Sequence, residues 1–217
     1  MALLGGVLGL DTVSCVQAMI SRPIVAAPIA GFLLGDPVAG ISAGAVLELV
    51  SMNQLPIGAN RTWDTAPASV AAAAIAALSS AGAVSLVVAV GYGVLVGWIG
   101  SWTVHVMRQS TARLVAARGD QEPIPASALT ARHLSAMAVD FARATALTLV
   151  ALLLGAPLAS GLDLSGATAG IAAAVLVWVC VGLALGSGVR MMAKGRTVVL
   201  AFTAGLLVST VLSLWLA

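Results

Sequence analysis

Residues 22–64 read RPIVAAPIAGFLLGDPVAGISAGAVLELVSMNQLPIGANRTWD. The stretch is apolar enough for a membrane, yet Gly-Asp-Pro cuts it and it carries Asp36, Glu48 and Asp64. Ionisable groups at bilayer depth cost roughly 2.5–3.5 kcal/mol each on insertion scales, so each needs a reason to be there. The two apolar pieces, residues 23–34 and 38–50, hold 12 and 13 residues. As helices they reach about 18–20 Å, short of the roughly 30 Å hydrocarbon core. Pro37 forbids one unbroken helix through both. The pattern predicts a re-entrant helical hairpin over 23–55. Such broken helices persist at membrane depth only where protein or a water-filled cavity covers their free backbone groups.

The rest of the chain agrees with a membrane setting. Of 217 residues, 60% are hydrophobic and 8% charged, with a mean hydropathy of +1.09. Soluble domains carry about 25% charge. Apolar residues come in long runs rather than in alternation, which favours helices over a barrel. The expected fold is an all-α integral membrane protein, a transmembrane helix bundle with a re-entrant hairpin in its N-terminal half. We read 1–217 as a single membrane domain: a substrate-site half over 1–106, a polar loop over 107–134, and three spans over 135–217. Within the first half, 68–106 is one long bent helix or two pieces, with a soft break at Ser79-Ser80-Ala81-Gly82.

Charge is uneven along the chain. Residues 1–107 carry a net charge of −2 and residues 108–217 a net charge of +4. The 107–134 loop holds Arg108, Arg113, Arg118 and Arg132, and 190–196 holds Arg190, Lys194 and Arg196, while the turn between their spans has no basic residue. Basic loops stay cytoplasmic, so both should face inward and the C-terminus outward. No Lys or Arg precedes Arg22, so the first segment lacks the basic region of a cleaved signal peptide. Nothing resembles a nucleic-acid-binding face. Cys15 and Cys180 sit in apolar runs and read as small buried hydrophobes, not as a disulfide or metal site. Glycines recur at four-residue spacing (Gly5/Gly9, Gly31/Gly35, Gly40/Gly44, Gly93/Gly97), which lets helix backbones approach closely.

Each polar residue in an apolar run has a structural and a functional explanation. Asp36 before Pro37 is placed to cap a helix, with Pro at the first helical position. Asp64 before Thr65 and Pro67 is either a similar cap or a ligand contact. Glu48 lies mid-helix in AVLELV with no capping role; it contacts a substrate or coupling ion, or pairs with Arg22 or Arg61. Asp11 and Gln17 lie on the first segment, where each borders a cavity or pairs at a helix interface. Asp140 and Arg143, three apart, read as a local pair on one helix face. His105 and His133 stand apart and read as interface histidines. There is no Ser-His-Asp set, phosphate loop or HExxH, so no self-contained catalytic centre and no resident cofactor or metal is expected.

This hairpin and its flanks resemble the IIC membrane subunit of mannose/fructose/sorbose-type sugar phosphotransferase systems. The elements that carry the resemblance are Gln17 shortly before Arg22-Pro23, the Gly35-Asp36 pair, the run from Gly44 to Glu48, the Ile57-Gly58-Ala59 turn and Asp64. The resemblance implies a sugar-translocating permease subunit of the bacterial inner membrane that works with a IID membrane partner, often as a trimer of IIC/IID pairs. Cytoplasmic IIA and IIB proteins then carry the phosphoryl group from phosphoenolpyruvate on their own histidines. It also implies that Glu48 and Asp64, with Gln17, Asn60 and Asp11 nearby, contact the sugar, while Arg22, Asp36, Gly35 and Gly58 shape the site. Two other functions fit the same residues: a stand-alone proton- or cation-coupled transporter using Glu48 or Asp64, and a non-transporting scaffold or sensor.

Overall fold

In a computed structural model, residues 1–15, 17–52, 63–79, 83–116, 126–161 and 167–192 are described, with scattered positions from 199 to 211. Most of these residues are helical, and no strand occurs among them. The helices are α1 (Ala2–Val13), α2 (Pro23–Leu33), α3 (Pro37–Ser51), α4 (Thr65–Leu78), α5 (Ala83–Ala116), α6 (Ala126–Gly161) and α7 (Ala167–Met192). Most of the span expected over 197–217 lies outside the described residues.

The α2–α3 turn follows from four consecutive residues. Gly35 adopts φ +88°, a left-handed conformation that costs other L-residues roughly 1–2 kcal/mol. This lets the Gly35 and Asp36 amides donate to the carbonyls of Phe32 and Gly31, closing α2 with a Schellman motif. The Asp36 side chain then accepts from the Ala39 amide at 2.9 Å, and Pro37 opens α3. Asp36 is therefore a helix cap. The two helices are 11 and 15 residues long and cross at their glycines. A Cβ at Gly31 would meet the Gly40 Cα at 2.7 Å, and one at Gly44 would meet the Pro23 carbonyl oxygen at 2.6 Å. The hairpin is held by backbone-to-backbone proximity that larger residues would abolish.

α4 is the centre of the molecule, with α1, α2, α3, α5 and α6 packed around it. Every residue from Ala66 to Ala76 is buried. A helix apolar on all sides is compatible with such an interior position, and its many alanines let five neighbours come close. The chain breaks after Leu78, so the tract 68–106 is two helices rather than one. α5 meets α4 through Gly93 and Gly97, which face Ala72 and Ala68. α1 meets α6 through Gly5, Gly6 and Gly9, where an added Cβ would collide with Thr148, Thr145 and Ala144. α7 packs on α5 and α3.

Among the described residues, two helices, over Val84–Ala112 and Ala126–Ser160, are long and apolar enough to cross a membrane. At 34 and 36 residues, α5 and α6 extend about 51 and 54 Å. Both run on into the polar stretch read from sequence as a loop, which leaves only 117–125 between them outside the described residues.

Candidate functional site

Where α4 begins, four helices bring polar side chains together inside an apolar interior. Asp64 occupies the N-cap position of α4 but makes no side-chain capping bond. Its backbone amide donates to the Gly97 carbonyl at 3.2 Å, and its carboxylate turns toward α6. There Arg143 Nη1 donates to Asp64 Oδ2 at 2.5 Å and to Thr103 Oγ1 of α5 at 2.9 Å. Arg143 Nε donates to Asp140 Oδ1 at 2.9 Å, and Ser14 Oγ, just past α1, donates to Asp140 Oδ2 at 2.5 Å. The Asp64 and Asp140 side chains are fully buried, and Arg143 is 10% exposed. Gly100 makes room for this cluster, since a Cβ there would collide with the Asp64 side chain.

The cluster places one guanidinium between two carboxylates, so a charge of −1 remains when all three are ionised. Two polar atoms in it are open. Asp64 Oδ1 is buried with no hydrogen-bond partner among the described residues, and so is Arg143 Nη2. Nη2 does lie 2.9 Å from Asp140 Oδ1. That oxygen is already aligned with Nε, however, and Nη2 has no angle suitable for a bond of its own, so it is a close charge with donor capacity to spare. An open buried acceptor and an open buried donor call for a polar group that can fill them.

Arg143 and Thr103 also form the inner wall of a cleft of about 770 Å³ between α5 and α6. Trp102, Val106, Met107 and Val139 line its walls, and Arg132 lies toward its far end. Asp64 lies behind Arg143 and does not line the cleft. A second, apolar cavity of about 140 Å³ lies between α4 and α6, lined by residues such as Ala71, Ile75 and Ala151.

The other candidates are placed as follows. Glu48 pairs with Arg22, Oε1 to Nη2 at 2.5 Å, and its Oε2 accepts from the Ile24 amide at 3.2 Å. Glu48 thus sits at the N-terminus of α2, where the helix dipole favours an anion. Its side chain is 15% exposed and that of Arg22 is 40% exposed. Both Asp11 oxygens hold the segment after α1, accepting from the amides of Ala18 at 2.5 Å and Ser21 at 3.0 Å. That segment needs anchoring, because Gln17 and Met19 adopt positive φ values of 52° and 63°. Gln17 is exposed. Asn60, Gly58 and Arg61 lie outside the described residues. No hydrogen bond or ion pair among the described residues joins Glu48 to Asp64. No trio of His, Cys, Asp or Glu among them gathers as a metal site.

Sequence reasoning missed the reach of Arg143. The local pair with Asp140 exists, but the same guanidinium bridges 79 residues back to Asp64. A usable signal was present. An arginine in a predicted apolar span needs more than one nearby carboxylate to offset its burial, and the first half of the chain carries the surplus negative charge.

Comparison with known proteins accords with this architecture. A family described as the sorbose-specific IIC component of the PTS system matches residues 1–217. Over 48 residues the chain is 46% identical to the PTS system sorbose-specific EIIC component of Lacticaseibacillus casei. That stretch is 22% of this chain and 17% of the relative, so the alignment spans well under two thirds of the relative's length. With the family's sequence profile matched from the first residue to the last, the chain belongs to the sorbose-type IIC components of the sugar phosphotransferase system.

Proposed function

We propose that this chain is the sugar-translocating permease subunit of a phosphoenolpyruvate-dependent sugar phosphotransferase system in a bacterial inner membrane. It binds and moves the sugar together with a IID membrane partner, in an assembly of paired IIC and IID chains. Cytoplasmic IIA and IIB proteins supply the phosphoryl group, so this subunit carries no catalytic residue. The observation that carries the proposal is the family match along the whole chain. The short α2–α3 hairpin, closed by Gly35 and Asp36, supports the re-entrant placement, because neither helix is long enough to span a bilayer.

In this reading the Asp64–Arg143 cluster holds the sugar. A sugar hydroxyl is both donor and acceptor, which suits a site with Asp64 Oδ1 open as acceptor and Arg143 Nη2 open as donor. Asp140, Thr103 and Ser14 fix the guanidinium that orients Asp64. Because Asp64 lies behind Arg143, entry requires that side chain to shift. Glu48 contributes a second carboxylate to the sugar, while Asp11 and Asp36 serve the backbone.

The test is phosphorylation-linked uptake. Cells carrying the complete system should accumulate sugar phosphate only when phosphoenolpyruvate-driven phosphocarriers are active, and deletion of this chain should abolish it. Accumulation of unmodified sugar without phosphoenolpyruvate would indicate a coupled carrier instead. No accumulation from an otherwise complete system would indicate a scaffold or sensor.

A further inference from the structure

The α5–α6 cleft has a construction that sugar binding does not explain. Its walls are mostly apolar, formed by Trp102, Val106, Met107 and Val139, whereas a sugar presents hydroxyls in every direction. Its two arginines lie at opposite ends, eleven residues apart on α6 or about 16 Å along the helix. They differ in commitment. Arg143 is held by Asp64, Asp140 and Thr103, whereas no carboxylate among the described residues pairs with Arg132. The hydroxyls beside Arg132 are no substitute donors. Ser110, Thr111 and Ser135 each give their proton to a carbonyl of their own helix, those of Val106, Met107 and Arg132. Among the described residues the uncommitted cation of the cleft is therefore the Arg132 guanidinium, and most of the surface between it and Arg143 is apolar.

We propose that this cleft is a binding site for an anionic phospholipid, with the phosphate on Arg132 and an acyl chain lying along Trp102, Val106, Met107 and Val139. Basic pockets between membrane helices are suited to such headgroups, because charge attraction adds to burial of the chain. The position fits as well. α5 and α6 are about 20 Å longer than a hydrocarbon core, and the polar Arg108, Gln109 and Arg132 lie toward one end of the cleft, so that end belongs where the helices leave the apolar layer and phosphates are concentrated. The inner end of the cleft is Arg143, which places a bound chain against the partner of Asp64. The proposal rests on the chain lying in a bilayer and is independent of its handling sugar.

The experiment is lipid titration, read by native mass spectrometry, of the native membrane complex after mild delipidation. The ligands are phosphatidylglycerol, phosphatidylcholine and inorganic phosphate. Phosphatidylglycerol should bind at least about tenfold more tightly than phosphatidylcholine, as expected for a charge-assisted contact. Arg132→Gln should reduce phosphatidylglycerol to the phosphatidylcholine level. Arg108→Gln, on an exposed residue of α5 outside the cleft, should leave it unchanged. Val139→Trp fills the cleft while keeping Arg132, and should also displace the lipid. Equal binding of the two lipids, retention of phosphatidylglycerol by Arg132→Gln, or its displacement by inorganic phosphate alone would overturn the proposal. So would photo-crosslinking from position 139 to a protein partner instead of to lipid.

Discussion

At the scale of single residues, Arg143 carries the most weight because three oxygens from two other helices and its own depend on it. Removing it leaves Asp64 and Asp140 as buried, uncompensated carboxylates. Arg143→Gln should therefore destabilise the protein by about 3–5 kcal/mol, seen as a lower unfolding temperature in detergent and lower membrane abundance. Arg143→Lys should rescue only part of this, since a single ammonium cannot match the fork of a guanidinium. Glu48 should behave differently. Its partner Arg22 is 40% exposed, and exposed pairs contribute about 0–1 kcal/mol. Glu48→Gln keeps an acceptor for the Ile24 amide, so stability should change little. A large fall in sugar uptake at normal abundance would then reflect lost contact with the sugar. Asp36→Asn should be silent in both assays, because Asn caps a helix nearly as well as Asp.

At the scale of elements, the α2–α3 hairpin depends on Gly31, Gly40 and Gly44 having no side chain. Gly40→Val should force the helices apart and cost at least about 1–3 kcal/mol, with a matching fall in folded protein on size-exclusion chromatography. Gly35→Ala has open space around it but retains the positive φ, so it should cost only about 1–2 kcal/mol. Much of this hairpin was legible in the sequence. Gly-Asp-Pro states where one helix stops and the next begins, and piece length shows that neither spans alone. The Glu48–Arg22 pair was also among the legible alternatives, since both residues lie in one local motif. The Asp64–Arg143 contact was not. Asp64 had a sufficient local explanation as a cap, and Arg143 had one in Asp140. Only tertiary packing of α4 against α6 shows that the first explanation does not hold and the second is incomplete. The helical continuation of α5 and α6 into 107–134 was hidden for another reason. Helix beyond the apolar layer has no hydrophobic run to announce it, and its Arg, Ser and Thr residues read as loop.

At the scale of the whole molecule, the basic residues of 107–134 lead us to propose that the facing ends of α5 and α6 are cytoplasmic. With Cys15 and Cys180 replaced by alanine, single cysteines at Ser127 and Ser165 should label from opposite sides of the membrane. Labelling of both from the same side would contradict this topology. The larger claim is that a buried Asp64, oriented by Arg143, receives the sugar. Its most direct test is the apparent sugar affinity of Asp64→Asn, measured as phosphorylation-linked uptake in cells with membrane abundance matched to the parent. The expected result is a loss of about 10- to 150-fold, the range for one charge-assisted hydrogen bond, with phosphoryl transfer among the soluble carriers unchanged. Unaltered sugar affinity at equal abundance would contradict it and would leave Asp64 as part of the packing between α4 and α6.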